Sequence, residues 1–255
     1  MKIFRSESFV DYKTYTFNYA TYCIKEDKSE LPEIYDKGFL PYSNNLDLKV
    51  ETYYLARSLR IELSDFKETS ENRRVDRKIQ EINPSFEVIP VEDFDLKDPE
   101  FLSYCFEFAN RRFSEPISMN RLEYIFSAKS VSHVFRFNAD DKPVGYVIAI
   151  IENDTLHYWF AFFDLDNPKY SLGKWMMFSV IRWAFENDLS YVYLGTCYGE
   201  KSLYKVRDFK GLSYFDGNQW VKNIRSLKSK CRADGNFVMD AFKQDTDLFL
   251  ENLDV

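Results

Sequence analysis

Two carboxylates and a polar helix entry follow an apolar run. Asp164 and Asp166 come directly after residues 156–163, and the segment then continues as NPKYSLGKW. Either carboxylate could orient or deprotonate an attacking amine. Aspartate and asparagine are also ordinary turn residues, so a purely structural role in an Asp-x-Asp-Asn-Pro bend stands beside the catalytic one.

The same segment offers backbone donors. Ser171 is a suitable N-cap, and Leu172 and Gly173 would open the helix, whose first N–H groups lack intrahelical partners. These groups and the positive end of the helix dipole favour an anionic or ester-bearing ligand. The alternative is plain capping with close packing at Gly173.

A second group of polar side chains follows the apolar run at residues 191–195. Tyr204 and Lys205 lie in the loop after this run, and Arg207 comes shortly after them. A lysine in such a loop suits a phosphate, and a tyrosine suits a hydrogen bond or stacking against a base. A surface lysine beside a half-buried tyrosine is the structural alternative.

Basic side chains cluster earlier in the chain. Arg73, Arg74 and Arg77 stand at helical spacing, with Arg73 and Arg77 on one face. Guanidinium groups bind carboxylates and phosphates through paired hydrogen bonds, so they could hold either, unless they form a solvated helix face. Arg57 is a further candidate within residues 52–63, where near-alternation of apolar and polar residues predicts one strand.

Histidine and cysteine form no recognisable nucleophilic constellation. His133 and His157 stand within apolar strands, where a structural role is favoured, and Cys197 has no base near it in sequence. The four cysteines are scattered without a CxxC spacing. This pattern favours reduced thiols over disulfides or a zinc site.

Composition limits the classes of function. A chain of 255 residues can form one large domain or two small ones, and its net charge of −7 means that any contact with RNA must be local. It has no apolar run of about 18 residues and no apolar signal core after residue 7. We therefore expect a soluble, cytoplasmic protein that does not enter a membrane.

Hydrophobic periodicity indicates the elements that position these residues. Residues 144–151 and 156–163 predict a β-hairpin around the turn at 152–154, residues 172–184 a helix, and residues 191–195 a buried strand. Further strands are predicted at 86–90 and 133–137, and further helices at 31–37, at 64 or 70 to 79, and at 99–113, 120–128, 237–242 and 246–252.

The motifs on these elements resemble those of a known family. FFDLDNPKYSLGKW, the helix, YLG and SLYKVRDFKGLSYFDGNQW are similar to the C-terminal half of the aminoacyl-tRNA–protein transferases, which comprise eukaryotic arginyltransferases and bacterial leucyltransferases. GFLPYS, YYLARSLRIELSDF and SENRRVDRK resemble the N-terminal half in the same order. The likeness spans most of residues 19–221.

The resemblance implies an α+β or α/β fold in which a GNAT-like mixed sheet is flanked by helices and an N-terminal α+β module packs against it. We expect the module at residues 1–85, the catalytic domain at 86–221 and a helical tail at 222–255. The implied catalytic residues are Asp164, Tyr204 and Lys205, and the implied substrate and tRNA contacts are Arg57, Arg73, Arg74, Arg77, Ser171, Leu172, Gly173 and Arg207.

The implied activity is transfer of leucine or arginine from aminoacyl-tRNA to the α-amine of proteins that begin with Asp or Glu, which marks them for degradation. FFDxD, SLG and DGxxW are closer to the bacterial branch, which slightly favours leucine. The donor ester is already activated, so the protein need mainly position the partners. Aminoacyl-tRNA and an acidic N-terminus are the expected partners, and a monomer is favoured.

One departure from the family concerns cysteines, which in many relatives bind a metal or an iron–sulfur cluster. Residues 48–54 contain none here, and Cys23 alone cannot supply four ligands, so we predict no metal and no cofactor besides the aminoacyl-tRNA co-substrate. Two rival functions stay open. One is an acetyl-CoA-dependent N-acyltransferase, although the loop at residues 167–173 lacks an R/Q-x-x-G-x-G/A signature; the other is a non-catalytic relative that binds tRNA or an acidic N-terminus.

Overall fold

A computed structural model describes residues 1–11, 16–43, 45–113 and 117–234 of the chain, with the backbone alone for residues 7–11 and 16–17. The helices predicted at 237–242 and 246–252 lie outside these ranges. Within them, no helix combines the length and apolar character needed to span a membrane.

The N-terminal residues form a small sheet and one helix. They are β1 (Lys2–Asp11), β2 (Thr16–Ile24), α1 (Leu31–Asp36), β3 (Phe39–Pro41) and β4 (Thr52–Leu55). The strands are antiparallel in the order β1, β2, β4, β3. Helix α1 ends before Gly38, whose φ of 82° is the left-handed conformation typical of a glycine that terminates a helix.

The rest of the described chain forms a larger sheet with five helices. The elements are β5 (Ser58–Glu62), α2 (Ser70–Ile79), β6 (Pro84–Pro90), α3 (Pro99–Arg112), α4 (Met119–Phe126), β7 (His133–Ala139), β8 (Lys142–Glu152), β9 (Thr155–Phe163), α5 (Leu172–Glu186), β10 (Tyr191–Thr196), β11 (Leu212–Phe215), β12 (Trp220–Val221) and α6 (Ile224–Ala233). The strand order is β12, β11, β5, β10, β9, β8, β7, β6, and only the β9–β10 pair is parallel.

Helices cover both faces of the large sheet because its inner strands are apolar on both sides. On one face, Val147 of β8 and Val192 of β10 pack in a core with α2, α5 and α6. On the other face, Ile148 packs with α3 and α4, while Ile150 packs with α1 and the small sheet. This arrangement confirms the predicted mixed sheet flanked by helices and the α+β module packed against it.

The strand predicted at residues 52–63 is wrong as a single element. It divides into β4 and β5, which belong to different sheets, and Ala56 and Arg57 form the crossing between them. Alternation of apolar and polar residues continues through the break, so periodicity alone carried no sign of it. The split places β5 between β10 and β11 of the large sheet, although it precedes the domain boundary predicted at residue 85.

Candidate functional site

Strands β9 and β10 begin as neighbours and then separate. Their pairing ends where Tyr193 lies opposite His157, whereas β10 stays paired with β5 as far as Thr196, with a bulge between Tyr193 and Gly195. Parallel strands that diverge leave unpaired backbone groups along the gap, which a buried sheet does not normally tolerate. The point of divergence is therefore a candidate ligand site.

The side chain of Lys205 reaches this point of divergence. Its Nζ donates a hydrogen bond to the carbonyl oxygen of Thr196, at a distance of 2.9 Å. Burial lowers the pKa of Lys205 to about 8, against a smaller opposing effect of the Cys197 thiol. The ammonium is thus largely charged at neutral pH, yet poorly hydrated, and this strengthens its attraction for a negative oxygen.

His157 occupies the same place from the other side. It is 1% exposed, and its Nδ1 lies 3.1 Å from the hydroxyl of Tyr35 in α1. Its Nε2 is buried and has no hydrogen-bond partner among the residues that the structure describes. Burial, with a smaller contribution from Lys205, lowers the pKa of His157 to about 3, so the ring is neutral at physiological pH.

The structure brings Tyr204 together with two predicted binding elements. It is 41% exposed and lines a narrow apolar cleft with Val75 of α2 and Gly173 of α5. Lys174 closes one side of the cleft, because its Nζ lies 3.1 Å from Glu71 and 2.9 Å from Asp208. The start of α5, the start of α2 and the loop after β10 thus share one surface.

The two aspartates belong to a turn at the far end of β9. Asp164 accepts hydrogen bonds from the backbone N–H of Asp166 at 2.7 Å and from the side chain of Asn167 at 2.8 Å, while Asp166 pairs with Arg111. Asp164 lies seven residues beyond His157, roughly 20 Å along an extended strand. The geometry is that of a turn carboxylate, and a catalytic role for Asp164 stays a prediction.

The helix entry differs in detail from the predicted cap. Ser171 precedes α5, but it has φ 55° and ψ 44°, and its side chain accepts no capping hydrogen bond. Leu172 points into the core at 3% exposure. A Cβ on Gly173 would lie 2.7 Å from the ring of Phe163, so glycine is needed here for close packing.

The three arginines of α2 lie on its solvent side, as their spacing predicts. Arg74 is paired with Glu71 at 2.7 Å. Arg73 donates to the backbone carbonyl of Glu68, and Arg77 donates to that of Arg73. Because these last two donate here to backbone oxygens, their guanidinium groups retain donors for an anion on the solvent side of α2.

Arg57 is held within the protein. It forms a bidentate pair with Asp234 at 2.8 to 3.1 Å, donates to the carbonyl of Cys197, and lies 4.6 Å from the ring centre of Tyr198. These contacts fasten the residue after α6 to the end of β10, which is a structural task. Arg207 is exposed just beyond Lys205.

The cysteines do not fit a metal or cluster. All four are buried free thiols, and burial raises the pKa of Cys23 to about 12, which disfavours the thiolate that a metal requires. Cys197 and Cys231 are neighbours, with sulfur atoms 3.6 Å apart. Among the described residues, no group of three or more His, Cys, Asp or Glu side chains is arranged to hold a metal ion.

Reasoning from the sequence assigned His157 a structural role and did not identify Tyr35. The two residues are 122 positions apart, and a single histidine in an apolar strand carries no signal of its partner. The strand register could have indicated His157. This residue lies opposite Tyr193, and Tyr193 comes two residues before Gly195, the glycine of the YLG motif.

The free energy of unfolding should decrease at acid pH because of His157. Because its pKa is about 3 in the folded state and near 6.5 in the unfolded chain, only the unfolded state gains this proton between those values. Stability should therefore fall as pH drops from 6.5, by up to roughly 4 kcal/mol at pH 3. Urea unfolding of His157→Gln should show a flatter acid limb, whereas an unchanged limb, or equal flattening by His133→Gln, would contradict this.

Comparison with known proteins agrees with this architecture. Residues 72–210 match the family described as Acetyltransferase (GNAT) domain, a span that runs from α2 past Lys205. A stretch of 116 residues is 29% identical to the aspartate/glutamate leucyltransferase of Dinoroseobacter shibae, and it covers 45% of this chain and 40% of that relative. The match thus spans less than half of the relative's length.

Two solved structures illustrate the superposition of known proteins on this chain. L-PGS from Bacillus licheniformis superposes with a TM-score of 0.44 at 10% identity, over 82% of this chain and 72% of that chain. FemX superposes with a TM-score of 0.42 at 9% identity, over 69% and 62%.

The family match contains the diverging strands, the helix α5 and the buried lysine that make up the candidate site. Together with the leucyltransferase relative, it supports a transferase. Because the match covers more than half of the chain, the protein belongs to the family with an acetyltransferase (GNAT) domain.

Proposed function

We propose that this protein is an aminoacyltransferase that moves leucine, or else arginine, from aminoacyl-tRNA to the α-amine of proteins beginning with Asp or Glu. The donor ester would enter the gap between β9 and β10, and the tRNA would lie over the cleft of Tyr204 and the exposed arginines of α2. The reaction needs aminoacyl-tRNA as co-substrate and no metal.

The observation that carries the proposal is the ammonium of the half-buried Lys205, which bonds to Thr196 at the divergence of β9 and β10 and has a lowered pKa. Aminoacyl transfer from an activated ester needs alignment of two substrates and stabilisation of the negative oxygen that forms during attack. A poorly hydrated positive charge supplies the second requirement. The leucyltransferase relative supports the choice of donor.

Acetyl-CoA is the competing donor, and the family description favours it. Binding its pyrophosphate through backbone N–H groups commonly uses a glycine-rich turn at the start of a helix. Here the turn before α5 contains a 3₁₀ segment, Pro168–Tyr170, followed by Ser171 in the left-handed conformation. The bulky residues of this turn make it a poor cradle for a pyrophosphate, so aminoacyl-tRNA fits better.

One assay separates the functions. The purified chain is incubated with a peptide that begins with Asp or Glu, together with Leu-tRNA, Arg-tRNA or acetyl-CoA, and the peptide mass is measured. A gain of one leucine or arginine residue supports the proposal and names the donor. Acetylation would replace it with the acetyltransferase function, and peptide or tRNA binding without a product would indicate a non-catalytic relative.

A further inference from the structure

Gly195 leaves a space that two side-chain nitrogens border. Apart from atoms of its two chain neighbours, a Cβ placed on this residue would meet, within 4 Å and among the described residues, Nζ of Lys205 at 3.6 Å and Nε2 of His157 at 4.0 Å. Two nitrogens from opposite sides of the strand gap thus face one position. That position lies where the pairing of β9 and β10 ends.

The hydroxyl of Tyr35 indicates which nitrogen of His157 carries the proton. The hydroxyl is buried in α1 and lies 3.1 Å from Nδ1. Burial raises the pKa of Tyr35, so its hydroxyl stays protonated and is able to donate a hydrogen bond to Nδ1, which is the direction that we assign to this contact. A neutral imidazole that accepts at Nδ1 must carry its hydrogen on Nε2. Nε2 therefore presents a donor toward the space beside Gly195.

Lys205 presents a second donor to the same space. An ammonium group has three N–H bonds, and one of them is used by the carbonyl of Thr196. Both groups that border the space are therefore donors, and one of them is charged. A space of this kind selects an oxygen atom that carries negative charge, and it rejects a cation or an amine.

We propose that His157 Nε2–H and the Lys205 ammonium hold the carbonyl oxygen of the transferred acyl group, as a two-donor oxyanion pocket opened by the absence of a side chain at Gly195. This inference rests on the proposed function. It adds His157 as a catalytic residue, Tyr35 as the positioning residue that fixes its tautomer, and Gly195 as the residue that keeps the pocket open.

The transfer reaction has two steps, and each bond that forms is matched by one that breaks. The free α-amine of the acceptor attacks the ester carbonyl carbon, a C–N bond forms, and the carbonyl π electrons move to the oxygen held by the two donors. The carbonyl then re-forms and the bond to the ribose oxygen breaks, so that this oxygen leaves with its electron pair. The proton lost by the attacking nitrogen ends on the ribose oxygen. The products are a peptide bond and a free ribose hydroxyl.

Gly195→Ala tests the pocket directly, and Gly199→Ala is its matched control. Both glycines have a positive φ, 77° and 67°, so alanine strains the backbone at each, and the ψ of 163° at Gly199 makes the control exchange a demanding one. At Gly199 the new Cβ would meet nothing within 4 Å. Gly195→Ala should lower kcat by roughly 100-fold or more. Gly199→Ala should stay within about threefold of the wild type. If the two variants have equal activity at equal thermal stability, the proposed pocket is wrong.

Tyr35→Phe tests the tautomer without filling the pocket. It should lower kcat about tenfold and leave KM for the tRNA unchanged, as expected for lost orientation of a single donor. ¹⁵N NMR of the histidine ring should show the Nε2–H form in the wild type and a mixture of tautomers in Tyr35→Phe. A wild-type spectrum with the proton on Nδ1 would contradict the proposal.

A binding measurement separates the pocket from the proposed function. A leucyl-adenosine analogue with an amide in place of the ester is titrated into the wild type and into Gly195→Ala, while the ¹⁵N signal of His157 Nε2 is followed. A shift in the wild type that Gly195→Ala abolishes supports the pocket, even if no tRNA is a donor. If the wild type transfers an amino acid but shows no shift of this signal, and Gly195→Ala is fully active, the proposed pocket is wrong. The proposed function would still be supported by the transfer activity.

Discussion

Replacing Lys205 by methionine is expected to abolish transfer and to stabilise the protein. The ammonium lies at the strand divergence, bonded to the carbonyl of Thr196, so losing it should lower kcat by roughly 100- to 1,000-fold. The same ammonium is buried at a cost, which methionine removes while keeping a similar length. The variant should therefore resist urea better than the wild type at pH 7.

The pH dependence of stability checks the second half of this prediction. Lys205 has a folded pKa of about 8 and an ordinary value of 10.5, so the unfolded chain holds more protons between these values. The contribution of Lys205 to the free energy of unfolding should therefore rise as pH increases from 8 to 10.5, by about 3 kcal/mol in total. Lys205→Met should lose this rise. The exposed Lys201 is the control, because Lys201→Met should alter neither activity nor the curve.

Two results would contradict the role of Lys205. Full transfer activity in a folded Lys205→Met variant would show that its charge does not act on the reaction. A variant that is less stable than the wild type at pH 7, with the alkaline rise retained, would show that the ammonium is well satisfied where it lies.

Replacing Arg60 by alanine is expected to cause a large loss of stability for the exchange of a charged residue. The side chain is 8% exposed, and its guanidinium lies between the rings of Tyr191 and Trp220, 4.4 and 4.1 Å from their centres. It also bonds to Asp36 at 2.8 Å, so it joins α1 to β10 and β12. Removing it leaves a gap between two rings and ends this connection.

The loss should be roughly 2 to 4 kcal/mol, from lost stacking and the emptied space. Little of it should come from stranded charge, because Asp36 is 65% exposed and Glu62 keeps its pair with Lys222. Urea unfolding measures the change. Arg136→Ala is the control, since Arg136 forms an exposed pair with Glu87 and should cost less than about 1 kcal/mol. A loss at Arg60 no larger than at Arg136 would refute the stacking account.

Arg60→Lys separates charge from shape in this contact. Lysine keeps the positive charge but lacks the planar group that stacks on both rings. If stacking dominates, the lysine variant should recover less than half of the loss caused by alanine. Full recovery would assign the stabilisation to the ion pair with Asp36.

The order of local elements could be predicted from the sequence because it depends on neighbours in the chain. The hairpin of β8 and β9 follows from two apolar runs and a polar turn, and α5 follows from an apolar period of 3.6 residues. The arginine spacing on α2 likewise predicted a shared helix face. Each of these signals lies within about fifteen residues, where backbone geometry fixes which side chains are adjacent.

The breaks and the site were decided by tertiary structure. Residues 52–63 alternate as one strand would, and only the presence of two sheets makes the chain cross between them at Arg57. The bond of Tyr35 to His157 joins residues 122 positions apart. The close packing of Gly173 against Phe163 joins α5 to the end of β9, a contact that no local propensity encodes.

The sequence by itself therefore determined the hairpin of β8 and β9, the helix α5, the apolar faces that they bury, and the segment in which Lys205 lies. Tertiary structure alone decided that Lys205 and His157 face one space beside Gly195. The physical reason is that a pKa or a donor direction depends on burial and on atoms from distant parts of the chain, whereas periodicity reports only which side of an element is apolar.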